Sequence, residues 1–433
     1  MIGNPPYVNI ANIQNEQERS FYQKHYITVK NKSDLYSIFT EKAKSILRQK
    51  GLLGFIFSNS WMGTDSFSKF RDFLANDVHV YKLVELPPGV FEDATVTTVL
   101  CFYENSHPVI GDDIEIYTCV NQEFVKKDFI LSRQQILQNP NTSFSFERTI
   151  SLEKTNNRKL GEIASFSLGI KTSDDARFVF SEPIDNTCYK FIRGRNISKW
   201  SFPFNKEWLW YQPALICEKP GGRPRVLKNF LVDKKIVIQD IATEITATID
   251  KEKYLCNDTL NIIFDLVDGF EFEYIVCLLN SRLVNIWFKK LFPAGLHIKT
   301  NQLEQIPIPV ITFEDQQPFI VQANQMLSLN QQLHQKRHRF IHRLQESLGI
   351  QKVTSALERF DEADFKTLLA ELKKQKISLT LIQKDEWEDY FNQYKTDCNA
   401  LSAQIAATDK QIDQMVYQLY GLTEDEIKVV EGE

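Results

Sequence analysis

The chain opens with Met1-Ile2-Gly3-Asn4-Pro5-Pro6-Tyr7, and the interpretation of the fold starts from this stretch. Two prolines after an asparagine hold the backbone in an extended turn, because each ring locks φ and neither residue has an N–H. Taken alone, the stretch is also compatible with an ordinary polar turn that follows a strand. The segments downstream favour a more specific interpretation.

Helical and strand patterns alternate after this turn. The patterns predict a helix from Leu35 to Arg48, a strand over Leu52–Phe57, a helix from about Ser66 to Ala75, and strands at Val80–Leu86 and Thr97–Tyr103. This order is typical of the second half of a doubly wound α/β sheet, in which the last two strands form a terminal hairpin. The first part of the chain is therefore predicted to have an α/β fold.

Four segments of this region resemble one known family. In sequence they are similar to the TaqI-like DNA adenine-N6 methyltransferases and to the type IIG restriction–modification enzymes. The segments that carry the resemblance are Gly3–Tyr7, Leu35–Ala43, Gly51–Trp61 and Gly89–Phe102. The resemblance implies methyl transfer from S-adenosylmethionine to an adenine that has been flipped out of the DNA stack.

The resemblance also implies that the motif Asn4-Pro5-Pro6-Tyr7 is catalytic. The Asn4 side-chain oxygen and the Pro5 carbonyl would accept both hydrogens of the adenine amino group, and Tyr7 would offer a flat face to the base. Phe91 would stack on the flipped base as well. The alternative for Phe91 is a core position, since a chain with 31 phenylalanines has many core candidates.

The cofactor site is expected to be incomplete. The family carries a glycine-rich turn and an acidic residue for the ribose, and no G-x-G-x-x-G occurs in this sequence. Asn4, Tyr36 and Trp61 remain as candidates for cofactor contact, with core positions as the alternative for the two aromatic residues. We therefore expect the C-terminal portion of a larger or split enzyme, which alone binds S-adenosylmethionine weakly and does not methylate DNA.

Composition limits the kind of protein. A chain of 433 residues, 43% of them hydrophobic, is expected to form two to three domains. The seven cysteines contain no C-x-x-C pair, which fits a reduced cytoplasm and predicts no metal site. His334, His338 and His342 follow helical spacing and are interpreted as a solvated face. With no signal peptide and no apolar run of about 18 residues, a soluble protein without membrane contact is expected.

The net charge of −5 is distributed unevenly. From Thr187 to Asp240 the chain carries eleven Lys/Arg and four Asp/Glu, a balance of +7, together with several aromatic residues. From Ile311 to Glu433 it carries fourteen against twenty, a balance of −6. Clustered cations among aromatic residues are typical of a surface that follows phosphates, and an ordinary solvated face is the alternative.

The residues from about Leu160 to Val310 resemble the TaqI-like specificity domain, which reads the DNA target in this family. The matching segments are Gly169–Thr172, Ile192–Ile197, Lys235–Ile238, Tyr274–Arg282 and Gln305–Pro309. Arginine can bind guanine, asparagine can bind adenine, and lysine mostly meets phosphate. The candidate DNA-binding residues are Lys171, Thr172, Arg193, Arg195, Asn196 and Lys299. The segment Leu278–Lys289 predicts a single helix.

The C-terminal region predicts a helical tail. Apolar residues from Trp387 to Leu419 follow a 4,3,4,3 spacing, which indicates a heptad seam, and a weaker seam runs from Ile320 to Leu348. An antiparallel, coiled-coil-like pair is therefore predicted, with two amphipathic helices on a globular core as the alternative. A short final helix is predicted to open at Thr423, after a cap at Gly421.

These patterns predict three regions. Residues 1–150 would form the C-terminal half of a Rossmann-like methyltransferase domain, residues 155–312 an α+β target-recognition domain, and residues 313–433 the helical tail. Double-stranded DNA is the expected partner, and a separate methyltransferase half or a restriction subunit is a further candidate. The alternatives to an enzyme are a non-catalytic DNA-binding specificity subunit and a decayed fragment.

Overall fold

The structure is a computed structural model of residues 1–433. It describes all of them except 31, 88–96, 110, 122, 140–141, 145–151, 153–154, 204–205, 293–296 and 433, and except the side chains of 128, 129 and 138. The chain divides into two compact units. The first comprises Met1–Ser151 with Ile286–Leu296, and the second comprises Leu152–Asn285 with His297–Glu433.

The first unit is a mixed α/β structure. Its strands are β1 (Ile2–Gly3), β2 (Leu52–Ser58), β3 (His79–Glu85), β4 (Thr98–Glu104), β5 (Asp113–Val120) and β6 (Glu123–Ser132). Its helices are α1 (Glu16–His25), α2 (Leu35–Ile46), α3 (Ser68–Asn76) and α4 (Arg133–Gln138). The predicted strands and helices from Leu35 to Tyr103 are confirmed to within about two residues at each end.

Within the described residues, the six strands form one sheet in the order β1-β2-β4-β3-β5-β6. Strands β1 and β2 are parallel, and β4 lies antiparallel between β2 and β3, so the predicted β3–β4 hairpin is present. Strands β5 and β6, which the sequence patterns did not predict, extend the sheet beyond β3.

Aromatic side chains fill the core of this unit. Strand β2 alternates, so Leu53, Phe55 and Phe57 are buried on one face. Helix α2 places the ring of Tyr36 parallel to Phe57, with 5.1 Å between the centroids, and Trp61 lies edge-on to Phe57 at 5.9 Å. This packing fixes the chain just beyond the carboxyl end of β2, where the candidate site lies.

The second unit contains shorter strands. They are β7 (Asn157–Lys159), β8 (Ser165–Leu168), β9 (Val179–Phe180), β10 (Cys188–Ile192), β11 (Glu207–Trp210), β12 (Lys235–Gln239), β13 (Ala247–Asp250), β14 (Leu255–Cys256), β15 (Leu260–Phe264) and β16 (Pro307–Pro309). In the described part they form sheets in the orders β14-β10-β11-β9, β13-β12-β15-β8 and β16-β7. The residues of β13 and β15 are all buried.

Short helices connect these strands, and long ones follow them. The helices are α5 (Leu160–Ile163), α6 (Asp175–Phe178), α7 (Pro213–Cys217), α8 (Phe272–Asn280), α9 (Arg282–Leu291), α10 (Thr300–Leu303), α11 (Phe313–Leu348), α12 (Ser355–Glu358), α13 (Phe365–Lys374), α14 (Leu381–Leu419) and α15 (Glu424–Glu431).

The segment Leu278–Lys289 is helical as predicted except at Ser281, where the chain breaks it into two helices. This residue is extended (φ −65°, ψ 149°), and its hydroxyl donates to the Leu278 carbonyl at 2.7 Å. The same oxygen accepts the Val284 N–H at 3.3 Å and so caps α9. The amide of Asn280 also bonds both backbone groups of Ala247, which ties the end of α8 to β13.

Helices α11 and α14 pack against each other in the tail. Phe340 on α11 contacts Phe391 and Tyr394 on α14, and Lys336 pairs with Asp397, so the two helices run antiparallel. Each of the ten predicted seam residues from Trp387 to Leu419 is buried or half-buried. The final helix α15 begins after Thr423, whose hydroxyl accepts the Glu426 N–H.

Candidate functional site

The Asn4–Tyr7 turn leaves β1 at its carboxyl end. Ile2 lies opposite Gly54 and Gly3 opposite Phe55 on the parallel strand β2. A Cβ atom at Gly3 would come within 2.9 Å of the Phe55 ring, so glycine is what allows the two strands to approach here. The carboxyl ends of parallel strands form the edge where α/β sheets bind their ligands.

The four residues of the turn differ in exposure. Asn4 is exposed, and no hydrogen bond to its side-chain amide is found among the described residues. Pro5 is buried and Tyr7 is half-buried, with its ring edge-on to Tyr36 at 6.0 Å. Burial raises the pKa of Tyr7 to about 12, so its phenol stays protonated at neutral pH. The turn thus exposes the side-chain amide of Asn4, while the buried Pro5 holds the backbone next to it.

Hydroxyl groups line the neighbouring end of β2. The Ser58 hydroxyl donates to the Ser60 oxygen at 2.9 Å, and the Tyr36 hydroxyl lies 3.5 Å from the same atom. Because Tyr36 also touches Tyr7, the hydroxyls and the turn are connected through one buried ring. Arg71, which sequence reasoning missed, donates to the carbonyls of Trp61 and Thr64 at 2.7 Å each and holds the chain beyond β2.

The predicted cofactor residues do not share one surface. Asn4 is exposed, whereas Tyr36 and Trp61 are both 0% exposed and lie within the aromatic core. Contact of these two rings with a cofactor therefore stays a prediction that requires their neighbours to move. Phe91, the predicted second stacking residue, lies outside the described residues.

The predicted DNA-binding residues have different environments. Lys171, Arg195 and Lys299 are exposed. Thr172 is buried, and its hydroxyl donates to Asp175. Arg193 donates to both Glu207 and Asp175, at 2.5 and 2.6 Å.

Asn196 has a local backbone partner. Its side-chain oxygen accepts the Arg193 N–H at 3.1 Å. For Thr172, Arg193 and Asn196, contact with DNA stays a prediction that would require these internal bonds to open.

Backbone hydrogen bonds nevertheless bring the loops of these residues together. The Asp258 N–H donates to the Ile170 carbonyl at 3.0 Å, and the Gly194 N–H donates to the Thr259 hydroxyl at 2.8 Å. The Asp240 N–H donates to the Thr259 carbonyl, and the Ile298 N–H to the Asp240 carbonyl. We call the resulting surface, formed by Lys171–Thr172, Arg193–Asn196, Asn257–Thr259 and His297–Lys299, the recognition edge.

Most of the positive charge from Thr187 to Asp240 is neutralised within the unit. Seven of its eleven cations form ion pairs with carboxylates, and these are Lys190, Arg193, Arg195, Lys199, Lys219, Lys234 and Lys235. Among the described residues, the cations without a carboxylate partner are Lys206, Arg223, Arg225 and Lys228. These four side chains carry the positive charge of the segment that ion pairing among the described residues leaves without a partner.

Metal sites and membrane spans are both absent from the described residues. No group of three or more His, Cys, Asp or Glu side chains is placed to hold a metal ion. No helix of the described part is both long and apolar enough to cross a membrane.

Family models match three parts of the chain. Residues 1–91 match the Eco57I restriction-modification methylase, and residues 189–308 match the TaqI-like C-terminal specificity domain. These two matches, with the methyltransferase relatives, support a fragment of a TaqI-like or type IIG restriction–modification methyltransferase. Residues 312–416, which include most of α11 and α14, match a domain of unknown function (DUF8810).

Individual relatives agree with this family. A type II methyltransferase from Thermus thermophilus, M.TthHB8I, is 23% identical over 323 residues, which are 71% of each chain. The restriction enzyme and methyltransferase RM.Eco57I from Escherichia coli is 30% identical over 105 residues. These are 24% of this chain and 10% of the relative.

The solved type IIL enzyme MmeI resembles the fold at a TM-score of 0.51 and 13% identity. The resemblance covers 98% of this chain and 54% of MmeI. The chain thus spans about half of MmeI and a tenth of RM.Eco57I.

Proposed function

We propose that this chain supplies the methylation turn and the target-recognition domain of a site-specific DNA adenine-N6 methyltransferase in a restriction–modification system. The observation that carries the proposal is the exposed Asn4 amide, held by Pro5 at the carboxyl end of β1. An amide oxygen and a carbonyl beside each other suit an exocyclic amino group, because that group has two hydrogens to donate. Double-stranded DNA is the proposed substrate.

The turn would act on the amino nitrogen of a flipped adenine. With both hydrogens held by Asn4 and Pro5, the nitrogen moves toward tetrahedral geometry and its lone pair becomes available. Bound S-adenosylmethionine would supply the methyl group. The exposed part of the Tyr7 ring would support one face of the base, and Phe91 is the proposed partner on the other face.

The described residues fit the methyl donor only in part. Of the three proposed contacts, Asn4 is open to solvent and the rings of Tyr36 and Trp61 are enclosed. No step is assigned to those two rings. A separate methyltransferase half is the proposed source of the remaining cofactor contacts, and the cytoplasm is the proposed location.

The second candidate function is a DNA-binding specificity subunit without catalysis. The enclosed positions of Tyr36 and Trp61 favour it, since they leave Asn4 as the one exposed cofactor candidate. The two candidates differ in the role of Asn4. In the methyltransferase Asn4 is needed for methylation, whereas in the specificity subunit its replacement leaves methylation unchanged.

Replacing Asn4 by alanine tests the proposal. Loss of one preorganised polar contact at a reacting centre typically lowers the rate by about 10²–10³-fold. In the restriction–modification system with all its subunits present, Asn4→Ala should reduce adenine methylation by this factor and leave DNA affinity unchanged. Ile2→Val, at an exposed position of the strand β1 that precedes the turn, is the matched control. Full methylation by Asn4→Ala would support the specificity subunit instead.

A further inference from the structure

The loop Lys219–Arg225 contains Arg223 and Arg225, two of the four cations of the basic segment Thr187–Asp240 that have no carboxylate partner among the described residues. Arg223 is exposed and Arg225 is half-buried, and neither has a carboxylate partner among the described residues. The loop adjoins the recognition edge, because Lys171 and Arg223 exchange two backbone hydrogen bonds of 3.0 and 2.7 Å. Neither arginine was among the residues that sequence patterns selected for DNA contact.

The backbone of this loop is closely fixed. A Cβ atom at Gly222 would lie 1.9 Å from the Ile216 carbonyl oxygen, so a side chain at this position would require the backbone to move. The Tyr211 hydroxyl donates to the Arg225 carbonyl at 2.8 Å. Arg225 adopts φ +60°, a region that residues other than glycine rarely occupy. Such a conformation persists only where the surroundings hold it, and it is often found at binding sites.

The loop also concentrates like charges. The pKa of Arg225 is lowered by burial first and then by the charge of Arg223, while Asp258 opposes the shift. Asp258 forms an ion pair with Lys171 at 3.8 Å, and its charge also acts on Arg225. Arg223 adds a third positive charge beside Lys171 and Arg225, and an anion bound between these cations would relieve their repulsion.

We propose that Arg223 and Lys171 together bind a backbone phosphate of duplex DNA and so set the register of the recognition edge on its target. This inference rests on the proposed function of the chain as a DNA-binding protein. Two adjacent cations on a fixed backbone match the concentrated negative charge of a phosphate better than the neutral edge of a base. The Lys219–Arg225 loop is accordingly a positioning element, and Arg225 supports it electrostatically.

Salt-dependent binding of the full chain tests the proposal. The measurement uses fluorescent duplexes of random sequence at several salt concentrations, with the wild-type chain, Arg223→Gln and the charge-matched control Lys384→Gln, an exposed lysine of α14. The slope of log K against log[salt] is negative, and each lost phosphate contact reduces its magnitude by about 0.9. Arg223→Gln should show this decrease on every duplex, Arg223→Lys should retain most of the slope, and Lys384→Gln should match the wild type.

The outcomes separate the inference from the proposed function. If the wild-type chain binds and Arg223→Gln has its full slope, the phosphate contact is disproved while DNA binding stands. A loss that is confined to some sequences would assign Arg223 to base reading and also overturn the proposal. If the wild-type chain binds no duplex at low salt, the proposed function fails and this inference with it. Since Arg223 is exposed, equal thermal melting of the variant and the wild type confirms intact folding.

Discussion

The Asn4–Tyr7 turn takes its functional groups from consecutive residues, whereas the recognition edge assembles them from separated segments. In the turn, four consecutive residues carry the chemistry, and two proline rings restrict their backbone next to the point where β1 pairs with β2. In the recognition edge, residues from four separated segments meet through backbone hydrogen bonds around Asn257–Thr259. The turn leaves Asn4 without an internal partner in the described structure, whereas the edge pairs Arg193 with Glu207 and Asp175.

This difference determines what each region tolerates. The functional groups of the turn lie within four consecutive residues, so its function depends on the few atoms that it exposes and on the pairing of β1 with β2. An assembled edge depends on elements far apart in the chain, because Arg193–Asn196 directly follows β10 and Asn257–Thr259 directly follows β14.

Breaking the buried ion pair between strands β12 and β13 should be the most damaging change. Lys235 and Asp250 are both 0% exposed and pair across β12 and β13, and Lys235 also donates to the Phe230 carbonyl at 2.7 Å. Lys235→Met would leave Asp250 buried without its partner, at a cost of about 3–5 kcal/mol. Urea unfolding should show this loss, and DNA binding should weaken with it.

The matched control for this prediction removes the second charge as well. In Lys235→Met with Asp250→Asn, the amide oxygen can still accept the Glu252 N–H, which Asp250 Oδ1 accepts at 2.7 Å. The amide nitrogen then replaces Oδ2, which accepts the Tyr254 N–H at 2.9 Å, so that bond is lost. Part of the lost stability should return, because the unpaired buried charge is gone. If the single variant unfolds at the wild-type urea concentration, the edge does not depend on this pair.

A side chain at Gly3 should disturb the turn to a smaller extent. Its Cβ would lie within 2.9 Å of the buried Phe55 ring, and overpacking of this kind costs about 1–3 kcal/mol. Gly3→Val should therefore lower the melting temperature and displace Asn4, with a corresponding loss of methylation. Ile2→Val, at a side chain that is 93% exposed on the same strand, should leave both measurements unchanged. Equal methylation by Gly3→Val would show that the turn holds its position without β1.

Sequence patterns predicted the helices and strands of the first unit correctly where the pattern lies within a single segment. The alternation of Leu53, Phe55 and Phe57 marks β2, and the helix predicted from Leu35 begins at that residue. Strands β5 and β6 were missed because no motif distinguished them. The break at Ser281 was also missed, since apolar residues continue on both sides and only the hydroxyl bonds to Leu278 and Val284 reveal it.

Charge was harder to predict than secondary structure. The count of +7 is correct, but ion pairing depends on which strands become neighbours, and sequence spacing does not show this. The carboxylates Asp175 and Glu252 that neutralise Arg193 and Lys190 lie outside the counted segment. The selection of Arg193 therefore followed residue type alone, and the exposed Arg223 was passed over because its loop has no recognisable motif.

The smallest predicted effect is a pH-dependent change in folding stability that is caused by Asp413 on α14. Its Oδ1 atom accepts the Arg282 N–H at 2.8 Å. Burial, which is the largest cause, raises its pKa from 3.8 to about 6, and the charges of Asp409 and Glu431 act in the same direction. The Arg282 N–H and the charge of Lys199 oppose the shift.

Because the folded-state pKa lies above the unfolded value, the folded chain binds the extra proton between these two values, and stability falls as the pH rises through this window. Asp413→Asn keeps an oxygen for the Arg282 N–H and removes the charge. Urea unfolding should show the variant to be more stable than the wild type above pH 6, by an amount that shrinks as the pH falls toward 3.8. Asp389→Asn, at an exposed position of the same helix, should show no such pH-dependent difference. A variant that gains nothing above pH 6 would show that the carboxylate is well solvated in the folded chain.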